Sequence, residues 1–235
     1  MRVLVFDVET SGLPPKQCKN VTLTNVMDWP YIVQFSYIIF DTETSNIQKI
    51  SDNIIKVPEW VTISEESIEL HGITKEKSIN KGKDMQEMLV QFTFDIKGVS
   101  HVVGHNISFD MNMVKASFYR LLNSEMNTEN STNNSIIVSV FNKFAEFTTK
   151  ITFACTMREN ISRCNIRRVG KDGSTYKKFP TLNELHKNLF DIEPKNLHNS
   201  LYDVIICMRC YYKVHFDKDL CESSDVINNY MKEIM

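Results

Sequence analysis

The chain has 235 residues, 42% hydrophobic and 24% charged, which suits one globular α/β domain with a substantial core. Its formal net charge of -2, from 27 basic and 29 acidic residues, argues against a protein that coats nucleic acid through bulk charge, while leaving room for a local basic patch. No apolar run approaches the roughly 18 residues of a membrane span, and no basic segment leads into a short apolar one as in a secretory signal. A cytoplasmic or other intracellular compartment with no membrane association is therefore expected. Cys18, Cys155, Cys164, Cys207, Cys210 and Cys221 lack a framework spacing and read as free thiols. Cys207 and Cys210 form a C-x-x-C, but it falls inside a helical pattern and has no second pair.

Near the start, Val3-Leu4-Val5-Phe6 runs into Asp7-Val8-Glu9-Thr10-Ser11-Gly12, a buried strand with acids at its end. Residues i and i+2 of a strand point the same way, so Asp7 and Glu9 share a face. Two carboxylates held on rigid backbone repel each other unless a cation lies between, and hard oxygen ligands suit Mg²⁺ or Mn²⁺. The chain contains its own control: Phe40-Asp41-Thr42-Glu43-Thr44 repeats the same pattern, yet leads into Ser45-Asn46 like a polar hairpin turn. Companions elsewhere must decide between the two copies.

Residues 13–28 read as a loop with Pro14-Pro15, 31–40 as a second strand, and 47–57 as a third that completes an antiparallel meander. A short capped helix opens at Ser64 and closes on Gly72, with His71 as a helix-end hydrogen bonder. Residues 84–94 carry Met85, Met88, Leu89 and Phe92 at helical spacing, and 99–104 form a short strand. The chain then turns through Gly104-His105-Asn106-Ile107-Ser108-Phe109-Asp110 into a long helix, capped by Asn106 or Ser108, with Asp110 in its first turn. An Asn-rich insertion at about 123–135 is too polar to bury apolar area. A strand over 151–155 precedes a basic segment, 158–178, with an excess of five positive charges; it is the best candidate for phosphate contact, with a solvated loop as the alternative. A helix with a box-like cap starts at Thr181 and another covers 200–216. His198 belongs on the loop before it and Asp203 in its first turn, where Ser200-x-x-Asp203 reads as a near capping box.

Together these pieces form a pattern. Asp7-x-Glu9 on the first strand, Asn106-x-x-x-Asp110 at a central helix start and His198-x4-Asp203 near the C-terminus resemble the DnaQ-like (DEDDh) family of 3'-5' exonucleases, similar to the proofreading subunits of bacterial-type replicative DNA polymerases. The resemblance extends to Phe6-Asp7-Val8-Glu9-Thr10-Ser11-Gly12-Leu13, to His71-Gly72-Ile73-Thr74 and to Thr181-Leu182, and covers roughly residues 2–215. Cys155-Thr156, where members often carry Asp-Thr, and the Asn-rich insertion are departures from it.

The resemblance implies an RNase H-like α/β fold, a mixed five-stranded sheet (three antiparallel, then two parallel strands) flanked by helices. It assigns residues 1–216 to an exonuclease domain and leaves 217–235 as a C-terminal tail. It implies that Asp7, Glu9, Asp110 and Asp203 hold two Mg²⁺, with Mn²⁺ as a substitute, and that His198 takes the proton of the attacking water. By similarity, Thr10 and Glu9 meet the terminal 3'-hydroxyl, Leu13 and Phe109 pack against terminal bases, and His105 or Asn106 lines the path of the strand. The expected activity releases nucleoside 5'-monophosphates from single-stranded or frayed DNA. The alternatives are an exoribonuclease of the same family and a non-catalytic nucleic-acid or polymerase-binding module. A DNA polymerase would be a partner in trans.

Overall fold

The computed structural model describes residues 1–126 and 136–235 with the exception of Asn196. Its central sheet has the order β3-β2-β1-β4-β5, built from β1 (Arg2–Thr10), β2 (Ile32–Asp41), β3 (Asn46–Ile54), β4 (His101–Gly104) and β5 (Thr152–Cys155). β1 with β2 and β2 with β3 pair antiparallel, and β4 and β5 run parallel to β1. This is the expected RNase H-like arrangement.

β1 decides which face of the sheet each residue serves. Leu4, Phe6 and Val8 enter a core with Phe35, Tyr37 and Phe92, whose rings lie 4.9–6.1 Å apart. That layer is covered by α3 (Met85–Asp95), α4 (Ile107–Met126) and α5 (Ile136–Thr148). Val3 and Val5 face the opposite layer, formed by α8 (Leu182–Phe190), α9 (Ser200–Phe216) and α10 (Asp225–Ile234). Continued along the strand, this alternation turns Asp7 and Glu9 toward α9.

The helix ends follow local chemistry. Ser64 caps α1 (Glu65–His71), which ends on left-handed Gly72. Asp84 caps α3 through two N–H groups, and Thr181 with Glu184 forms a capping box on α8. Gly104 is required by contact: a Cβ there would lie 2.8 Å from Ile107 Cδ1 and 3.3 Å from the Phe6 carbonyl, so its absence lets α4 start against β1.

Four features were not anticipated. α2 (Lys75–Lys81), capped by Thr74, is too short for a clear period. α5 buries Ile137, Val140 and Phe144 at helical spacing. Residues 123–126, placed in the insertion by composition, are the end of α4; 127–135 lie outside the described residues. The basic segment is structured, with α6 (Thr156–Glu159), α7 (Ile161–Cys164) and a separate two-stranded ribbon, β6 (Arg167–Val169) with β7 (Thr175–Lys177). Beyond α9, Leu220, Ile227, Met231 and Ile234 join its apolar layer. No helix among the described residues is long and apolar enough to cross a membrane, and all six cysteines are free thiols.

Candidate active site

β4 pairs with β1 only as far as Val5 opposite Val103, so β1 continues past its neighbour and leaves an open notch at the C-terminal ends of the parallel strands. α4 starts beside this notch and delivers Asp110, which is 1% exposed and accepts the backbone N–H of Val8. From the other face α9 delivers Asp203. Glu9, His198 and Asp203 bring ligand atoms within 4.8 Å of one another, and Asp7 is close enough to Asp110, Asp203 and Glu9 for their charges to act on it.

The start of α9 differs from the near capping box expected of Ser200 and Asp203. Asn199 is the cap, accepting the N–H groups of Leu201 at 3.1 Å and Tyr202 at 3.4 Å. Ser200 is buried, and its hydroxyl lies 2.5 Å from Ser36 Oγ while its N–H donates to Gln34 Oε1 at 3.3 Å. Ser36 and Gln34 both donate to Asp52 Oδ1, at 2.7 and 2.8 Å. Freed from capping, Asp203 accepts the His198 N–H at 3.2 Å. His198 is exposed and sits at φ 73°, a left-handed bend that turns its N–H back onto the helix. Gln34, Ser36, Asp52 and Ser200 were missed by sequence reasoning. A signal existed: Gln34 and Ser36 interrupt an apolar strand with period two, and they pair with Glu9 and Asp7.

The electrostatics are one-sided. Burial pushes the Asp7 carboxyl well above the usual carboxylate range, and the charges of Asp110, Asp203 and Glu9 add to it. Burial does the same to Asp110 against the opposing Val8 N–H. Glu9 is pushed up to about 7 by burial and then by Asp203. Asp203 is also pushed up to about 7 by burial, opposed by the His198 N–H. None of the four forms an ion pair with a Lys or Arg among the described residues. Asp110 Oδ2 and Asp203 Oδ1 are buried without a hydrogen-bond partner. Buried oxygen acceptors lacking a donor, gathered with no compensating charge, are a donor set that fits hard divalent cations.

The duplicate Asp41 and Glu43 lie at the other end of β1, where Asp41 pairs with Arg2. Asp41 Oδ1 accepts the Glu43 N–H at 2.8 Å, and the Met1 amino group bridges both acids at 3.4 and 3.2 Å. This is the hairpin turn expected.

The Exonuclease family model matches residues 4–211. The chain belongs to the exonuclease family. Among solved structures, the chain is similar to Escherichia coli Exonuclease I in complex with a dT13 oligonucleotide (18% identity, TM-score 0.62, 92% of this chain and 41% of that one). It is likewise similar to a moderately thermophilic Exonuclease I from Methylocaldum szegediense (19% identity, TM-score 0.57, 92% and 41%). It therefore spans about two fifths of those chains, and at these identities the likeness is one of fold. No curated protein matches by sequence.

Around the four acids, Thr10 is buried and its hydroxyl donates to the Gly12 carbonyl at 2.8 Å. Its own carbonyl accepts from His71 Nε2 at 3.2 Å, while His71 Nδ1 accepts the Ile73 N–H at 3.1 Å; these contacts fix a neutral tautomer, and burial lowers the His71 pKa in the same sense. Ser11 continues the brace through Tyr31 and Ser64. Leu13 is 88% exposed just beyond, and Phe109 is partly buried against the core. Asn106, at φ 73°, stands at the cap position of α4. His105 has both ring nitrogens engaged, with Thr156 Oγ1 at 3.0 Å and the Pro180 carbonyl at 3.1 Å, and burial lowers it to about 4. Its ring ties the turn before α4 to the segment before α8.

Proposed function

We propose that this chain is a divalent-metal-dependent 3'-5' exonuclease that releases nucleoside 5'-monophosphates from single-stranded or frayed DNA inside the cell. The observation that carries this reading is the convergence of Asp7, Glu9, Asp110 and Asp203, from three elements, beside His198 at one strand end. Asp7, Glu9, Asp110 and Asp203 would hold two Mg²⁺, or Mn²⁺ in substitution. Such a metal pair supplies activation of water and stabilisation of the leaving oxygen.

The protein groups do the rest. His198, hinged on its left-handed bend, accepts the proton of the attacking water at a ring nitrogen. The Thr10 backbone and Glu9 take the terminal 3'-hydroxyl. Leu13 and Phe109 pack against terminal bases, a sequence-tolerant contact of roughly 1–3 kcal/mol per stacked base where aromatic, and Asn106 lies along the path of the strand. The DNA oligonucleotides bound by Exonuclease I support single-stranded DNA as the substrate. The exonuclease domain is proposed over 1–216, and a DNA polymerase in trans would make it a proofreader.

The test is digestion of 5'-labelled single-stranded, duplex, 3'-mismatched and RNA oligonucleotides by purified protein with Mg²⁺. Stepwise shortening of single-stranded DNA from the 3' end is expected. Intact DNA with metal binding confirmed would overturn the reading in favour of a binding module, and preferential loss of RNA would make it an exoribonuclease. Preference for the mismatched terminus is the outcome for a proofreader.

A further inference from the structure

The β6–β7 ribbon is unlike the rest of the molecule. All six of its strand residues are exposed, and it joins no other strand. Isolated two-stranded ribbons are marginal in water, since they have no apolar layer to bury. Here Val169 is 71% and Tyr176 50% exposed. Arg167, Arg168, Lys171 and Lys177 make no ion pair and no side-chain hydrogen bond among the described residues, whereas the nearby Lys178 pairs with Glu184 at 2.6 Å. Asp172, the ribbon's one acid, is engaged by Ser174 at the turn.

The roots of the ribbon lie at the catalytic end of the sheet. It follows α6 and α7, which leave the C-terminal end of β5. It returns through Phe179, stacked 5.6 Å from the Arg158 guanidinium, to Pro180, whose carbonyl is held by His105. His105 directly follows β4 and precedes the helix of Asp110, so the ribbon stands at the strand ends where the four carboxylates gather. Cross-strand register sets Arg168 opposite Tyr176 and Arg167 opposite Lys177, giving one face a guanidinium beside a ring and the other a pair of cations.

We propose that this ribbon is the docking surface for the single DNA strand upstream of the 3' terminus, with phosphates on Arg167, Arg168, Lys171 and Lys177 and a base stacked on Tyr176. The proposal rests on the exonuclease reading of the site. Unpaired cations interleaved with an exposed aromatic side chain are what a flexible polyanion with π-faces requires, and the charge is local in a chain of net charge -2.

Binding is measured in an Asp7→Asn background, so the result does not depend on whether the wild-type protein cleaves DNA. The probes are a thymidine trinucleotide and an oligothymidylate of about 20 nucleotides, longer than single-strand sites of roughly 4–16. Affinity is read from about 50 to 200 mM salt. The parent chain should bind the longer probe more tightly. Arg167→Ala with Arg168→Ala and Tyr176→Ala should remove about tenfold of that gain, the scale of one stacked base. The slope of log affinity against log salt should fall by about 0.7 per phosphate contact removed. Arg168→Glu alone, in a chain melting at the parent temperature, should also lose length-dependent affinity. Lys150→Ala with Lys232→Ala removes two charges elsewhere and should keep the parent slope. No gain with length in the parent, an unchanged slope in the ribbon variants, or an equal change in the control pair would each overturn the proposal.

Discussion

The backbone N–H of His198 donates to Asp203 Oδ2 at 3.2 Å, so the residue proposed to take the water's proton and a proposed metal ligand are set by a single bond across the start of α9. The side chain of His198 is exposed and contributes little packing. His198→Ala should therefore lower kcat by about 10²–10⁴-fold, the usual worth of a positioned general base, with a melting temperature close to wild type. Asp7→Asn should abolish turnover in the same steady-state assay while leaving the circular dichroism spectrum unchanged.

The acids also predict how stability depends on pH without metal. Glu9 and Asp203 titrate at about 7 in the folded chain, against ordinary values of 4.5 and 3.8. The folded state thus holds protons that the unfolded chain releases. Their contribution to stability is fully present below about pH 4 and is lost as pH rises through about 7. Calorimetry in EDTA should show this decline, and Glu9→Gln with Asp203→Asn should flatten it.

Divalent metal should reverse that loss. Binding to the deprotonated acids favours the folded state, so Mg²⁺ should raise the melting temperature more at pH 8 than at pH 5. EDTA should stop nucleotide release, and Mg²⁺ or Mn²⁺ should restore it. A shift that is independent of pH would count against these acids as the ligands.

Ser36, the cross-strand neighbour of Asp7, ties β2 to the start of α9 through Ser200. Ser36→Ala leaves the buried Ser200 hydroxyl short of a partner, at a cost of about 1–3 kcal/mol for a buried unsatisfied group, while exposed Asp52 keeps its bond from Gln34. If the network sets the geometry of His198 and Asp203, kcat should fall at temperatures where the variant is fully folded. Unchanged kcat in a fully folded variant would make the role purely structural.

The look-alike acids supply the control. Asp41→Ala with Glu43→Ala removes the turn contacts and the bridge to the Met1 amino group. Kinetics on single-stranded DNA should match wild type.

Much of this architecture was legible in sequence where the signal is local. The strand of Asp7 and Glu9, the helix of Ser200–Phe216 and the caps at Ser64 and Thr181 follow from periodicity and from side chains that satisfy their own helix ends. The Asp41 turn was legible from its flanking polar residues. Short elements without a full period, such as α2 and the β6–β7 ribbon, were not, because a few residues of propensity do not outweigh the cost of ordering them.

By itself the sequence determined the identity of the acids, their order and the fold that carries them, because a strand fixes which side chains share a face whatever surrounds it. Only the tertiary structure decided that β1 outruns β4 to leave a notch, that Asn199 rather than Ser200 caps α9, that Ser200 ties down to Ser36, and that His105 spends both nitrogens on Thr156 and Pro180. The Ser200 and His105 contacts join residues 51 to 164 positions apart, and the notch is a strand end that pairing leaves open. Buried polar groups must find partners wherever the fold supplies them, and nothing in local spacing says where that will be.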